Sequence, residues 1–236
     1  MLLDGWHLVH DAADAGLEIT SVAVVDSPRR ADHGALLKRL AARAAIVTVS
    51  RAVLDAMSPV RTPSGIVALA RRRQRDFEDV LRPAPPLVVV AVDVQDPGNG
   101  GAILRSAEAG GATGVILTGA SADPWNWKSL RASMGSTFRL PVVRHHSAAE
   151  VCDRLHMAQV SIYAAIPRHG IPMHQADLDG PTAVVLGGEG AGLPEDLLSR
   201  ADEAISIPMR ERVESLNVAV AAALLVYEAR RQRQRS

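Results

Sequence analysis

The most constraining feature of the sequence is an apolar run followed at once by a turn and a helix-forming segment. Leu87–Val92 is mostly β-branched and predicts a buried strand. Residues 96–99, Asp-Pro-Gly-Asn, predict a turn, and a helix follows until Gly110-Gly111 ends it. Arg105 is expected about one turn into this helix. The helix starts at the carboxyl end of a parallel strand, which is where open α/β sheets bind ligands.

Composition and the lack of a targeting segment favour a protein of the cytoplasm. Of the 236 residues, 47% are hydrophobic and 3% aromatic, which predicts one large or two small domains with an Ala, Val and Leu core. No apolar run reaches membrane-spanning length, and no basic leader with an apolar stretch opens the chain, so we expect no membrane partner. The single Cys152 excludes an intrachain disulfide and a Cys-based zinc site, and we expect it to fill apolar space.

The net charge of zero hides an asymmetry along the chain. Residues 1–75 hold 11 Lys and Arg against 7 Asp and Glu, whereas the remainder holds 15 against 19. A basic front half indicates an anionic partner, although an ordinary solvated surface has the same charge pattern.

The front part alternates between helices and strands, which predicts a compact α/β layer with no catalytic pattern of its own. Ser50 is the expected N-cap of its third helix. The predicted elements are helices at 5–13, 35–45 and 51–57 and strands at 17–25, 46–49 and 66–70.

A charged and proline-rich stretch, 73–86, predicts a linker between a front domain, 1–72, and a back domain, 87–236. Its neighbouring arginines, Arg71–Arg75, either grip phosphate or form a solvated strand end.

The back domain also alternates, which predicts a parallel sheet. A polar, helix-like segment covers 125–136, and the other predicted elements are strands at 113–117, 141–144, 160–165, 182–186 and 204–207 with helices at 148–157, 194–200 and 216–231.

The last predicted helix has almost no polar face over residues 218–226. A helix that is apolar all round must be buried, which predicts a subunit interface or cover by another layer. Its basic end, Arg230–Arg235, suits the helix dipole.

Three polar or glycine-rich loops each follow an apolar strand: the first holds Asn99 and Arg105, the second is 187–192, and the third runs from Ile207 to Asn217. Glycines allow close backbone approach to a ligand. The second loop lacks both the G-x-G-x-x-G spacing of dinucleotide sites and the lysine of a P-loop.

Taken together, the three loops resemble the signature motifs of the SpoU (TrmH) family of RNA ribose 2′-O-methyltransferases, within the SPOUT superfamily. The resemblance covers residues 87–231, and residues 1–70 resemble the substrate-binding domain that often precedes the catalytic domain there. It implies a C-terminal parallel sheet with a deep trefoil knot, a homodimer through the C-terminal helix, and RNA as substrate. Large-subunit rRNA is the first expectation and tRNA the second, because the front domain resembles those of rRNA-modifying members.

The resemblance also implies S-adenosylmethionine as cofactor, held largely by backbone groups of the loops, and no metal. The implied cofactor-binding residues are Leu186, Gly187, Gly188, Gly190, Ile207, Met209, Ser215 and Leu216.

In the family, the arginine that matches Arg105 is assigned the activation of the ribose hydroxyl. Because arginine stays protonated in proteins, we expect Arg105 to stabilise the developing alkoxide while an RNA phosphate or water takes the proton. Asn99 and Glu189 are expected to shape the site or touch RNA, and Ser215 and Asn217 to order the third loop.

Structural alternatives exist for these residues. Asn99 and Ser215 are good N-caps, Arg105 is compatible with a plain helix surface, and Glu189 favours the N-terminus of the next helix. The histidines, including His145, His146, His169 and His174, lack metal-ligand spacing, and Lys128 and Arg131 are candidates for the RNA path.

Two departures from the family pattern stand out. Position 100 is glycine where a branched apolar residue is more common, which predicts a looser first loop, and the front part begins close to its first predicted helix.

Two rivals remain at the level of sequence: a nucleotide-binding oxidoreductase built on the Gly188 loop, and an RNA-binding module without catalysis. The first lacks the acidic residue expected after a following strand.

Overall fold

A computed structural model of the protein describes residues 1–26, 31–190 and 192–234. Within these ranges the front half is built on a four-stranded sheet and the back half on a seven-stranded sheet. The predicted α/β class is therefore confirmed.

The front sheet has the order β1-β4-β2-β3, in which β4 runs antiparallel to β1 and β2 while β3 runs parallel to β2. Ser50 caps the third helix by accepting a hydrogen bond from the Val53 amide, as the sequence predicts. The front elements are β1 (Leu2–Asp4), α1 (Trp6–Asp14), β2 (Ile19–Val25), α2 (Ala31–Ala41), β3 (Ala45–Val49), α3 (Arg51–Met57) and β4 (Ile66–Ala70).

The back sheet has the order β7-β6-β5-β10-β8-β11-β9, and all of its paired strands are parallel. Its elements are α4 (Phe77–Val80), β5 (Leu87–Val92), α5 (Pro97–Gly110), β6 (Gly114–Thr118), α6 (Trp127–Ser133), α7 (Ser136–Arg139), β7 (Val142–His145), α8 (Ala148–Met157), β8 (Ser161–Ala165), β9 (Ile171–Pro172), β10 (Thr182–Gly187), α9 (Glu195–Leu198), β11 (Glu203–Ser206) and α10 (Val218–Arg233).

The strand order changes direction at the centre of the back sheet. From β5 the chain moves outward through β6 to β7, then crosses to β8 on the other side and returns to β10, beside β5. Such a switch point opens a crevice at the carboxyl ends of the central strands. The first two predicted loops follow β5 and β10, so both start at this crevice.

The two halves are packed against each other. Leu130 of α6 and Phe138 of α7 are buried in the same apolar cluster as the front sheet. Within the stretch predicted as a linker, Phe77 and Val80 of α4 are buried in the back core, and Asp76 and Asp79 cap this helix reciprocally. Part of that stretch is therefore folded, because two apolar side chains anchor it.

The structure corrects several predicted elements. The sequence does not predict β1 and β9, because strands of three and two residues are too short to show a periodic pattern. The helix predicted at 35–45 runs over 31–41 instead; its glycine at position 34 resembles a helix start, but three buried leucines hold the whole segment. Arg105 is the ninth residue of α5 rather than one turn in, because Asp96 caps that helix.

The last helix is only partly buried in a single chain. Ala222, Leu225 and Val226 are fully buried, whereas Val220, Leu224 and Tyr227 are 48%, 38% and 49% exposed. One apolar stripe of the helix therefore remains on the surface of the single chain, and its burial in a subunit interface stays a prediction. Arg230, Arg231 and Arg233 lie in the last turn, and Arg235 lies outside the described residues.

Cys152 is buried in the back core. Desolvation raises the pKa of its thiol, which keeps it protonated and suits the predicted role of apolar filler. In the described ranges, no helix combines the length and the hydropathy needed to cross a membrane.

Two adjacent glycines of α5 differ in what surrounds them. A Cβ on Gly101 would overlap the Ser129 carbonyl oxygen and lie 2.6 Å from the Ala132 Cβ, whereas the nearest atom to a Cβ on Gly100 is the Ser129 Oγ, at 4.0 Å. Close packing of α5 on α6 therefore requires glycine at 101 but not at 100.

We expect Gly101→Ala to lower the free energy of unfolding by about 1–3 kcal/mol through overpacking. Gly100→Ala is the matched control and should be neutral or stabilising by up to about 1 kcal/mol, because alanine favours helix. Urea unfolding followed by circular dichroism measures both, and equal effects of the two substitutions would contradict the packing argument.

Candidate active site

A cavity of about 490 Å³ lies at the carboxyl ends of β8, β10 and β11. Its volume falls within the range of about 300–1,000 Å³ usual for small-molecule sites. It is lined by Ala165, Ile166, Pro167, Leu186, Gly187, Gly188, Glu189, Gly190, Gly192, Ile205, Ile207, Met209, Glu214, Ser215, Leu216, Asn217, Val218, Ala221 and Leu225.

Glycine in the second loop is required by close backbone contacts. A Cβ on Gly188 would overlap the Asp93 carbonyl oxygen, and one on Gly187 would overlap the backbone of Gly192. The loop therefore doubles back on itself and presses against the residue that follows β5. This packing leaves backbone groups, rather than side chains, to form that wall of the cavity.

The cavity collects the residues of the second and third loops. All eight positions predicted to bind cofactor line it, and so do Glu189, Ser215 and Asn217 from the predicted catalytic set. Ala191, which belongs to the second loop, lies outside the described residues. Asn99 and Arg105 do not line the cavity.

Asn99 connects the first loop to the other two. Its side-chain oxygen accepts a hydrogen bond from Asn217 Nδ2 at 3.0 Å, and its Nδ2 donates to a Glu189 carboxylate oxygen. The three loops therefore meet through one asparagine at the rim of the cavity.

The structure also decides the alternatives for the capping residues. Asp96, not Asn99, caps α5 by accepting from the Asn99 amide at 2.9 Å. Asn217, not Ser215, caps α10 by accepting from the amides of Ala219 and Val220. Asn217 thus fixes a helix end with its oxygen and holds Asn99 with its nitrogen.

Arg105 is exposed on α5, and no residue within the described ranges pairs with its guanidinium. The helix packs directly along α10, where Gly110 faces Val226 and Arg230 donates to the Ala109 carbonyl at 2.6 Å. Arg105 therefore lies on a helix beside the exposed apolar stripe of α10, outside the cavity of its own chain.

Sequence reasoning missed one wall of the cavity and the residue that supports it. Ala165 ends β8, residues 166 and 167 follow it, and all three line the cavity; the signal available was their place at the carboxyl end of a predicted strand. Arg168 then donates hydrogen bonds of 2.9 Å to the carbonyls of Glu211 and Val213. It holds the third loop against this wall.

The charge of the cavity restricts its ligand. Among the described lining residues there are two carboxylates, Glu189 and Glu214, and no lysine, arginine or histidine. A neutral or cationic ligand is therefore favoured, whereas a dinucleotide would bring its pyrophosphate charge next to carboxylates without a compensating cation. Nowhere in the described ranges do three or more His, Cys, Asp or Glu side chains form a group that could hold a metal ion.

Comparisons with known proteins agree with this geometry. The sequence model of the SpoU rRNA methylase family matches residues 86–227, and the model for the substrate-binding domain of RNA 2′-O ribose methyltransferases matches residues 2–75. The 23S rRNA (guanosine(2553)-2′-O)-methyltransferase RlmP of Bacillus subtilis is 33% identical over 97% of this chain and 88% of its own length.

Solved structures give the same result. The SpoU methyltransferase AviRb of Streptomyces viridochromogenes, in complex with S-adenosylmethionine, has a TM-score of 0.90 at 30% identity over 99% of this chain and 90% of that one. An rRNA methyltransferase from Sinorhizobium meliloti with the same cofactor bound has a TM-score of 0.86 at 30% identity over 98% and 86%. With its three loops gathered at one crevice of a parallel sheet, the chain belongs to the SpoU family of rRNA methylases.

Proposed function

We propose that the protein transfers a methyl group from S-adenosylmethionine to a ribose 2′-hydroxyl of large-subunit ribosomal RNA. The observation that carries this proposal is the cavity in which the second and third loops meet, free of cationic side chains and tied to the first loop by Asn99. Ribosomal RNA is favoured because relatives named for it match both halves of the chain. The front half, residues 1–72, is then the RNA-binding domain and residues 87–236 the catalytic domain, joined by 73–86.

The cavity suits the proposed cofactor. S-adenosylmethionine supplies an electrophilic methyl group on a positively charged sulfonium. Glu189 and Glu214 provide the negative charge that favours such a cation. The backbone groups of Leu186, Gly187 and Gly188 bind the remainder where side chains would not fit, with Ile207, Met209 and Leu216 as apolar walls. The deep trefoil knot and the cytoplasmic location stay predictions.

The chain's own contribution to the reaction is positioning and charge. Arg105 stabilises the alkoxide that develops on the attacking ribose oxygen, and an RNA phosphate or water takes the proton, since a guanidinium has no acceptor. Asn99, held between Glu189 and Asn217, fixes the rim over which the ribose enters. Ser215 and Asn217 keep the third loop in place, and alignment of the two reactants supplies much of the acceleration.

A homodimer completes the site. The exposed stripe of α10, formed by Val220, Leu224 and Tyr227, recurs at the spacing of one helix face, and a second copy of the same helix buries it. Arg105, on the neighbouring helix and outside its own cavity, then acts at the cavity of the partner subunit.

The proposed reaction is tested with tritiated S-adenosylmethionine and protein-free 23S rRNA. We expect label in the rRNA and one phosphodiester bond that becomes resistant to alkali, because a 2′-O-methyl group removes the attacking hydroxyl. Label in tRNA alone would show that tRNA, not rRNA, is the substrate. Label on a base would contradict methylation of the ribose. RNA binding without label would indicate an RNA-binding module without catalysis. Calorimetry with nicotinamide dinucleotides should show no binding.

Arg105→Ala should lower kcat for methyl transfer by at least about 100-fold. Calorimetry should show an unchanged affinity for S-adenosylmethionine. Leu216→Arg should instead abolish cofactor binding, because the new guanidinium would repel the positively charged sulfonium in the same cavity. Mixed dimers of the two variants should regain activity, since one cavity then has both an intact wall and the partner's arginine. Mixed dimers without activity would place Arg105 at its own chain's cavity, and wild-type turnover of Arg105→Ala would remove its role.

Leu224→Lys should convert the dimer to a monomer, because it places a charge in the middle of the apolar stripe. Met157→Lys is the matched control, since Met157 is 84% exposed on α8 and lies outside the stripe. Sedimentation velocity measures the change in mass. A wild-type protein that stays monomeric at micromolar concentration, or a dimer that survives Leu224→Lys, would contradict an interface through α10.

A further inference from the structure

A second cavity, of about 530 Å³, lies where the chain passes from β4 to α4 along the α6 and β7 side of the back domain. The connecting segment and the back domain both contribute to it. Arg72, Arg73 and Arg75 come from the connecting segment, and Trp125 and Arg144 come from the back domain. We call this set the arginine cleft.

Two of the four arginines have a carboxylate partner. Arg72 forms an ion pair of 3.2 Å with Asp123, and Arg75 one of 3.8 Å with Asp79. Arg73 donates to the Ala15 carbonyl at 2.9 Å.

Arg144 likewise donates to a carbonyl, that of Ser121, at 3.1 Å, and no carboxylate in the described ranges forms an ion pair with either Arg73 or Arg144. Asp76, also in the wall, uses its carboxylate to cap α4. With four arginines against the two aspartates Asp76 and Asp79 in its wall, the cleft carries a net positive charge.

The guanidinium groups that carry this charge are also accessible to a ligand. Arg73 and Arg144 are exposed, while their carbonyl bonds hold each guanidinium at the wall. A guanidinium has five N–H donors, so most remain free for a ligand. Trp125 is half-buried and adds a flat apolar surface to the same cavity.

We propose that the arginine cleft binds the phosphodiester backbone of the RNA substrate, an inference that rests on the proposed function. A guanidinium held in place donates two parallel hydrogen bonds to the oxygens of one phosphate. An adjacent indole offers a face on which a base stacks. Arg73 is tied to Ala15 of the front domain and Arg144 belongs to the catalytic domain, so RNA bound in the cleft contacts a residue fixed to each. It is a backbone site, which positions the substrate without reading its sequence.

The test uses the double variant Arg73→Gln/Arg144→Gln in the full-length protein. The probes are 23S rRNA for methylation and a fluorescein-labelled 30-nucleotide RNA for anisotropy. We expect KM for rRNA and Kd for the oligonucleotide to rise on the order of tenfold, with kcat and S-adenosylmethionine affinity unchanged. The slope of log K against log salt should become shallower by about 1.4–1.8, the amount expected for two lost phosphate contacts.

Two controls separate loss of charge from loss of structure. Arg73→Lys/Arg144→Lys keeps the charge and should restore the salt slope, but only part of the affinity, because an ammonium lacks the guanidinium fork. Arg200→Gln removes an arginine that pairs with Asp153 and does not line the cleft, and it should change neither. Circular dichroism and melting temperature confirm that each variant is folded.

The outcomes distinguish this proposal from the proposed function. If wild-type protein methylates rRNA and the double glutamine variant matches Arg200→Gln in KM, Kd and salt slope, the cleft is no RNA site and the function stands. If the cleft variant loses RNA affinity but wild-type protein transfers no methyl group, the cleft stands and the function fails. An S-adenosylmethionine-binding protein without affinity for RNA contradicts both.

Discussion

The structure depends on how closely the backbone after β10 approaches the backbone after β5. Gly188 lies so near the Asp93 carbonyl that no side chain fits between them, and Gly187 lies equally near Gly192. These contacts fold the second loop onto the switch point of the sheet and leave room for a cavity beneath the third loop. Any larger residue at position 187 or 188 would force the loop outward and open the wall that backbone groups now form.

A few polar contacts carry this local constraint to the rest of the site. Asn217 accepts from the first amides of α10 and donates to Asn99, which in turn donates to Glu189. Asp96 sets where α5 begins and therefore where Asn99 stands. Arg168 ties the third loop back by two carbonyls. The loops are thus positioned by helix caps and loop ties, which the strands of the rigid sheet present at one edge.

The sequence predicts most of this architecture because its strands are apolar, β-branched and bounded by turns. The strands Leu87–Val92 and Ile66–Ala70 match the predicted bounds, and so does the helix Ala148–Met157. It does not predict β1 or β9, which are too short for a pattern and exist only through pairing with β4 and β11. The motifs predict the cavity residues, yet not that Asp96 rather than Asn99 caps α5, since both suit the position. Arg168 escapes prediction because its partners are carbonyls of a loop without periodicity.

The arrangement of charge explains how a chain of zero net charge handles two oppositely charged ligands. The cavity at the sheet edge has carboxylates and no cationic side chain among its described lining residues, which suits a sulfonium. The arginines of the arginine cleft lie elsewhere, where the connecting segment meets Arg144 of β7. Were these arginines in the cavity wall, they would repel the cofactor; were the cavity's two glutamates in the cleft, they would repel RNA. Because the two sites are separate, each keeps the local charge that its ligand requires. The opposite charges cancel in the net charge of the chain, which therefore does not reveal them.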